Sequence, residues 1–211
     1  MKIGIIGASG KAGDFIMKEA LSRGNEVTAI VRTASKISEE NVTILEKDLY
    51  NLTAADLAGF DVVVDAFNAA PGKEEMHKTS IEHLLTLLKG NDHTRLVVVG
   101  GAGSLFVDEA ETARVMETPD FPAAFLPTAK NMGAALDLLE GTKDVLWTYL
   151  SPAAMFVADG ARTGSYTLGG NLLQVNSQGE STISYADYAI AMLDEIEQGK
   201  HFHERISVVS K

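Results

Sequence analysis

Short aliphatic runs and amphipathic segments alternate along the chain. Lys2–Ile6, Glu26–Val31, Val42–Glu46, Asp61–Ala66, Arg95–Val99, Val145–Leu150 and Ile206–Val209 read as strands. Val62-Val63-Val64 and Val97-Val98-Val99 are continuously apolar, the pattern of strands covered on both faces, as in a parallel sheet. Between the runs, apolar residues recur at helical spacing. Ala12, Phe15, Ile16, Ala20 and Leu21 share one face of a first helix, with Gly24 just beyond its end. Lys73–Leu88 presents Ile81, Leu84, Leu85 and Leu88, and Thr128–Glu140 presents Met132, Ala135, Leu136 and Leu139 before Gly141. Ser184 and Asp187 form an S-x-x-D start for a last helix through about Glu197.

Strand–helix alternation implies right-handed crossovers and a doubly wound α/β sheet. Ligands of such sheets lie at the carboxyl ends of the strands. The residues after each strand are therefore the expected site: Gly7–Gly13, Arg32–Lys36, Asp48-Leu49, Phe67–Pro71, Gly100–Ser104 and Ser151–Phe156. Two stretches break the alternation. Leu105–Pro127 holds three prolines and three phenylalanines, and Ala158–Thr182 is rich in glycine and turn residues, where short strands or hairpins are expected. The chain reads as one dinucleotide-binding domain, 1–211, with 151–184 as a small insertion on the substrate side.

The segment Gly7-Ala8-Ser9-Gly10-Lys11-Ala12-Gly13 closes the first strand and opens the first helix. Glycine permits the tight turn and the close approach of a pyrophosphate, and the helix start offers unpaired N–H groups to its oxygens. A dinucleotide is the expected ligand. Sheets that prefer NAD place an acidic residue about 20 positions further on, against the ribose hydroxyls. Arg32 stands there instead, with Lys36 a helical turn beyond. A guanidinium grips a 2′-phosphate that a carboxylate would repel, so NADP(H) is favoured, with NAD(H) possible. Glu39 and Glu40 are close enough to blunt that preference. Asp48 is placed either to meet the adenine, with Leu49, or to cap the turn that follows.

The chain has 211 residues, no cysteine and a net charge of −11 from 18 Lys+Arg and 29 Asp+Glu. Disulfides, thiolate metal sites and cysteine nucleophiles are excluded. The acidity opposes nucleic acid and anionic membranes and suits solubility. No apolar run has the length of a membrane span, and the first strand begins without a signal-peptide pattern, so a cytoplasmic protein is expected. The five histidines do not cluster, and no metal site is expected. A small-molecule acceptor is the expected partner, for a monomer or homodimer.

Gly7–Gly13, Val31-Arg32, Lys47-Asp48-Leu49, Asp61–Phe67, Val99–Leu105, Trp147–Ala153 and Ile183–Ala189 together make the chain resemble the atypical short-chain dehydrogenase/reductases. More narrowly, it resembles their NmrA-like branch described as NAD(P)H-flavin reductases, related to the biliverdin reductase B type. The resemblance implies a Rossmann fold and cofactor contacts from Gly7, Ser9, Gly10, Lys11, Ala12, Gly13, Arg32, Lys36, Asp48, Leu49, Phe67, Asn68, Gly100, Ser151 and Pro152. It departs from the wider superfamily at one point. The Tyr-x-x-x-Lys pair would end at Lys130, but Leu126 stands in the tyrosine position and cannot donate a proton.

A reaction without a tyrosine acid is therefore implied: hydride transfer to a free flavin, as substrate, or to a similar planar acceptor. Such chemistry chiefly requires stacking of two rings and exclusion of water. Lys130 is the candidate for the nicotinamide ribose and Ser104 for the carboxamide or acceptor; a solvated helix lysine and a turn hydroxyl are the alternatives. Phe106, Phe125, Met155 and Phe156, with Phe67, are candidates for the ring platform, core packing being the alternative. A redox sensor that binds NADP(H) without turnover fits Leu126 equally. A nucleotide-sugar epimerase or dehydratase ranks third, because the C-terminal region leaves little room for a sugar.

Overall fold

A computed structural model describes residues 1–211. Ten strands and five helices follow in chain order: β1 (Lys2–Ile6), α1 (Lys11–Ser22), β2 (Glu26–Val31), β3 (Thr43–Glu46), α2 (Ala54–Leu57), β4 (Val62–Asp65), α3 (Met76–Leu88), β5 (Arg95–Val99), α4 (Leu126–Glu140), β6 (Trp147–Ser151), β7 (Met155–Val157), β8 (Tyr166–Gly169), β9 (Thr182–Ser184), α5 (Tyr185–Gln198) and β10 (Glu204–Ser210).

Eight strands form one sheet in the order β3-β2-β1-β4-β5-β6-β10-β8. All neighbours are parallel except β8, which runs antiparallel to β10. This is the doubly wound Rossmann arrangement expected from the alternation. The order reverses between β1 and β4, where Ile6 lies opposite Asp65, and a crevice must open above that point. The glycine-rich stretch beyond β6 supplies β8 at the sheet edge, and β7 and β9 pair parallel as a separate two-stranded ribbon.

The two faces of the sheet carry separate cores. Ile3, Ile5, Ile16, Met17, Tyr188 and Met192 pack under α1 and α5. Ile81, Leu84, Leu136, Leu139, Trp147 and Tyr149 pack under α3 and α4. The expected boundaries shift where neighbours decide them. α3 begins at Met76 rather than Lys73, because the turn at Gly72, whose amide donates to Glu74, comes first. α4 begins at Leu126, with Pro127 in its first turn, where the missing N–H costs nothing. β10 is longer than its apolar run because β6 pairs with it from Glu204 and β8 up to Ser210.

A buried polar cluster ties β5 and β6 to the end of α5. Arg95 donates to Thr148 and Glu195, and Glu195 also accepts from the His201 ring and from the amides of Lys200 and His201. Burial pushes the Glu195 carboxyl up, but the donors of His201 and Arg95 outweigh it and hold it below the usual carboxylate value. Such clusters join residues distant in sequence and carry no local pattern.

Candidate functional site: a cleft at the strand ends

A cavity of about 790 Å³ opens over the carboxyl ends of β1 to β6, within the range of cofactor sites. Its floor begins at the glycine turn. Gly7 has φ +75°, which glycine adopts without strain. A Cβ on Gly13 would lie 2.3 Å from the Gly7 carbonyl oxygen, so the side-chain hydrogen lets α1 sit directly on the turn. Gly10 caps α1 with no side-chain hydrogen bond, so the first amides of the helix are left to face the cleft. Gly7, Ser9, Gly10, Lys11 and Ala12 line it; Gly13 acts by packing beneath.

Charge is divided unevenly along the cleft. Lys11, Arg32, Lys36, Lys47 and Asp48 lie at the end formed by β1, β2 and β3. Arg32 and Lys36 are exposed and make no ion pair. Lys18 draws Glu39 toward itself (3.8 Å), and Lys47 is held by Asp56 at 2.7 Å. Asp48 Oδ1 accepts from the Tyr50 amide, so it caps the following turn while also lining the cavity beside Leu49.

From Ala66 onward the lining carries no charge. Phe67 and Asn68 follow β4, and Gly100 to Gly103 follow β5. Phe121, Phe125, Thr128, Ala129 and Met132 come from the irregular loop and α4, while Pro152, Ala153, Ala154, Phe156 and Tyr185 close the far wall. The Phe156 ring packs on Tyr185 at 3.9 Å and Tyr188 at 4.7 Å between centroids. Gly100 is required by contact, since a Cβ there would meet the Tyr149 ring at 2.3 Å. The Tyr149 hydroxyl, buried below, accepts from the Gly101 amide and donates to the Met132 carbonyl. Burial pushes this phenol up to about 12.

Besides Gly13, five residues expected at the site do not line it. Ser104 is buried, with its carbonyl and hydroxyl both accepting from Arg205, at 2.8 and 3.2 Å. Lys130 projects from α4 into solvent, while Thr128, Ala129 and Met132 of the same helix reach the cleft. Phe106 pairs with the loop through bridges to Arg114 and Leu172, and both Arg114 and Arg205 lie over its ring. Met155 alternates outward from Phe156 on β7 and is 64% exposed. Ser151 is fully buried at the end of β6, opposite Ser207 of β10. The turn and solvated-lysine alternatives thus describe Ser104 and Lys130. Sequence reasoning missed Lys47, Phe121, Thr128, Met132 and Tyr185. Only Lys47 carried a signal, as the residue immediately after a strand.

A second, far smaller cavity of about 10 Å³ lies behind the wall, lined by Asp65, His77, Ser80, Tyr149 and their neighbours. Phe67, Val99 and Met132 line both cavities and separate them. Asp65 is 5% exposed, and His77 Nε2 has no hydrogen-bond partner. Burial pushes the Asp65 carboxyl up to about 7 and the His77 ring down.

A parallel sheet reversing at β1 and β4, a glycine turn under an uncapped helix start and a long cleft above them define a dinucleotide-binding α/β protein. The chain belongs to the NAD(P)H-binding family, whose pattern matches residues 7–198. It is 60% identical to the uncharacterized protein YwnB of Bacillus subtilis (strain 168), over all of this chain and 99% of that protein. Among solved structures, a "putative NADH-flavin reductase" of Streptococcus pneumoniae TIGR4 is 48% identical and superposes with a TM-score of 0.96 over the full length of both chains. A "putative epimerase" of Bacteroides thetaiotaomicron is 37% identical, with a TM-score of 0.86, covering 99% of this chain and 96% of the other. These relatives agree with the resemblance to the atypical short-chain dehydrogenase/reductases.

Proposed function

We propose that the protein is an NADP(H)-dependent oxidoreductase that passes hydride to a free flavin or a similar planar acceptor. The observation that carries this reading is the division of one cleft into a cationic end and an uncharged end walled by aromatic and sulfur side chains. The glycine turn and the first amides of α1 fit a pyrophosphate. Arg32 and Lys36, free of ion pairs, fit a 2′-phosphate. When bound, the reduced nicotinamide supplies a hydride.

The chain's own residues bind, orient and exclude water. Phe67, Met132, Pro152 and Phe156 offer apolar surface for ring stacking, and Asn68 and Thr128 offer hydrogen-bonding groups on the same lining. The 151–184 segment acts as the substrate-side wall. The Streptococcus pneumoniae relative, a "putative NADH-flavin reductase", supports the hydride transfer to flavin, while naming NADH rather than NADPH. An epimerase is disfavoured, because Tyr185 is the one titratable side chain on the uncharged half of the lining and burial pushes its phenol up. The sensor reading has one observation in its favour: neither Ser104 nor Lys130 reaches the cleft.

The test is oxidation of NADPH and NADH at 340 nm with riboflavin, FMN, FAD and a quinone. Saturable turnover, faster with NADPH, is expected. Tight NADPH binding without turnover of any acceptor would decide for the sensor.

A further inference from the structure

The uncharged half of the cleft also bears on the acceptor. Between Ala66 and Tyr185 the lining offers no lysine, arginine or histidine to pair with an anion. Its polar side chains are Asn68, Thr128 and Tyr185. The stretch that delivers Phe121 and Phe125 to the mouth is acidic. Residues 105–130 contain Asp108, Glu109, Glu111, Glu117 and Asp120 against Arg114 and Lys130. Arg114 is already engaged by Asp137 at 3.4 Å, and Lys130 faces solvent outside the lining. Asp120, next to Phe121, is exposed and makes no ion pair. Phe125 is 64% exposed at the same mouth, an apolar surface open to a ring.

A phosphate or carboxylate on the acceptor would therefore enter a site with no counter-charge, past the free Asp120 carboxylate beside Phe121, in a protein of net charge −11. The Coulomb cost is modest in water but works against both approach and residence. The cations of the opposite end serve the dinucleotide.

We propose, resting on the oxidoreductase reading above, that the acceptor is an uncharged planar redox ring, of the riboflavin or quinone class, and that phosphate-bearing flavin nucleotides are discriminated against. The acceptor is reduced by one hydride, an electron pair with its proton, from the reduced nicotinamide, which is oxidised. The second proton comes from water, because no carboxylic acid, lysine or histidine lines that half of the cleft.

The experiment is a titration of riboflavin and of FMN into the protein saturated with NADP⁺, followed by quenching of isoalloxazine fluorescence. Initial rates with NADPH are measured in parallel for riboflavin, FMN and the neutral quinone menadione. At low ionic strength riboflavin should bind roughly tenfold more tightly than FMN, with the gap shrinking as salt screens the mouth. Asp120→Lys should narrow the gap by about two- to threefold at low salt. Menadione turnover matching or exceeding riboflavin assigns the quinone source; riboflavin ahead of menadione assigns the flavin source. FMN binding as tightly as riboflavin at every salt concentration would overturn the inference and leave the oxidoreductase reading standing. No binding and no turnover with any of the three would overturn both.

Discussion

Asp65 accepts a 3.0 Å hydrogen bond from the amide of Phe67, two residues on, at the buried end of β4. That contact shapes the turn from which Phe67 and Asn68 enter the cleft, and it is the sole hydrogen bond the carboxyl receives.

A pH dependence of stability follows. Burial holds the Asp65 carboxyl at about 7, against an ordinary value of 3.8. The folded state keeps a proton that the unfolded chain releases, so stability falls as pH rises from about 4 to about 7 and is level above that. Asp65→Asn retains the acceptor and removes the ionisation. It should stabilise the protein by up to about 4 kcal/mol at pH 8 and by almost nothing at pH 4. His77, pushed down by burial, acts in the opposite sense below its ordinary 6.5 and is common to both proteins. Urea midpoints at the two pH values provide the check; a difference that does not change with pH would refute the assignment.

The 2′-phosphate reading is tested at Arg32. Arg32→Asp removes the guanidinium and adds a carboxylate, so NADPH affinity should fall about 10- to 100-fold, the worth of one or two charged hydrogen bonds. NADH affinity should change by less than about threefold, being free of that phosphate. Calorimetry with both dinucleotides decides the matter, and an equal loss for both would give Arg32 another role.

Gly13→Ala places a methyl where the Gly7 carbonyl oxygen is 2.3 Å away. Backbone on both sides leaves nothing to swing aside, so α1 must tilt off the turn at a cost of about 1–3 kcal/mol. The melting temperature should drop, and NADPH binding should weaken more than the stability loss alone explains. Gly24→Ala offers a contrast: its Cβ would meet nothing, but its φ of +77° still strains alanine, so it should lose stability without affecting binding.

The Arg95–Glu195 pair anchors β5 to the end of α5, with both side chains almost fully buried. Glu195→Ala leaves a buried guanidinium uncompensated and should cost about 3–5 kcal/mol in denaturant unfolding. The NADPH dissociation constant, measured below the unfolding transition, should not move, since neither residue lines the cleft. A binding loss as large as the stability loss would link this cluster to the site.

The cationic end of the cleft is the part most fully written in sequence. Gly7, Arg32 and Asp48 lie within two residues of the ends of β1, β2 and β3, and the position just after a parallel strand is fixed in space by the sheet. The acceptor end was legible only as a neighbourhood. Phe125 and Phe156 reach it, yet Phe106 and Met155 do not.

The sequence by itself determined the doubly wound sheet, seven of its eight strands to within two residues, and the cationic residues at its strand ends, while the edge strand β8 was expected only as a short strand or hairpin somewhere in 158–182. Those follow from hydrophobic period, glycine stereochemistry and charge, which act over a few neighbouring residues. Only the tertiary structure decided that Ser104 turns back to Arg205, that Lys130 faces solvent while Thr128 and Met132 face the cleft, and that Arg95 meets Glu195 and His201 across α5 and β10. These choices depend on which side of a helix or loop meets another element far away in sequence. That is settled by packing the sheet and its two layers together, and no local pattern encodes it.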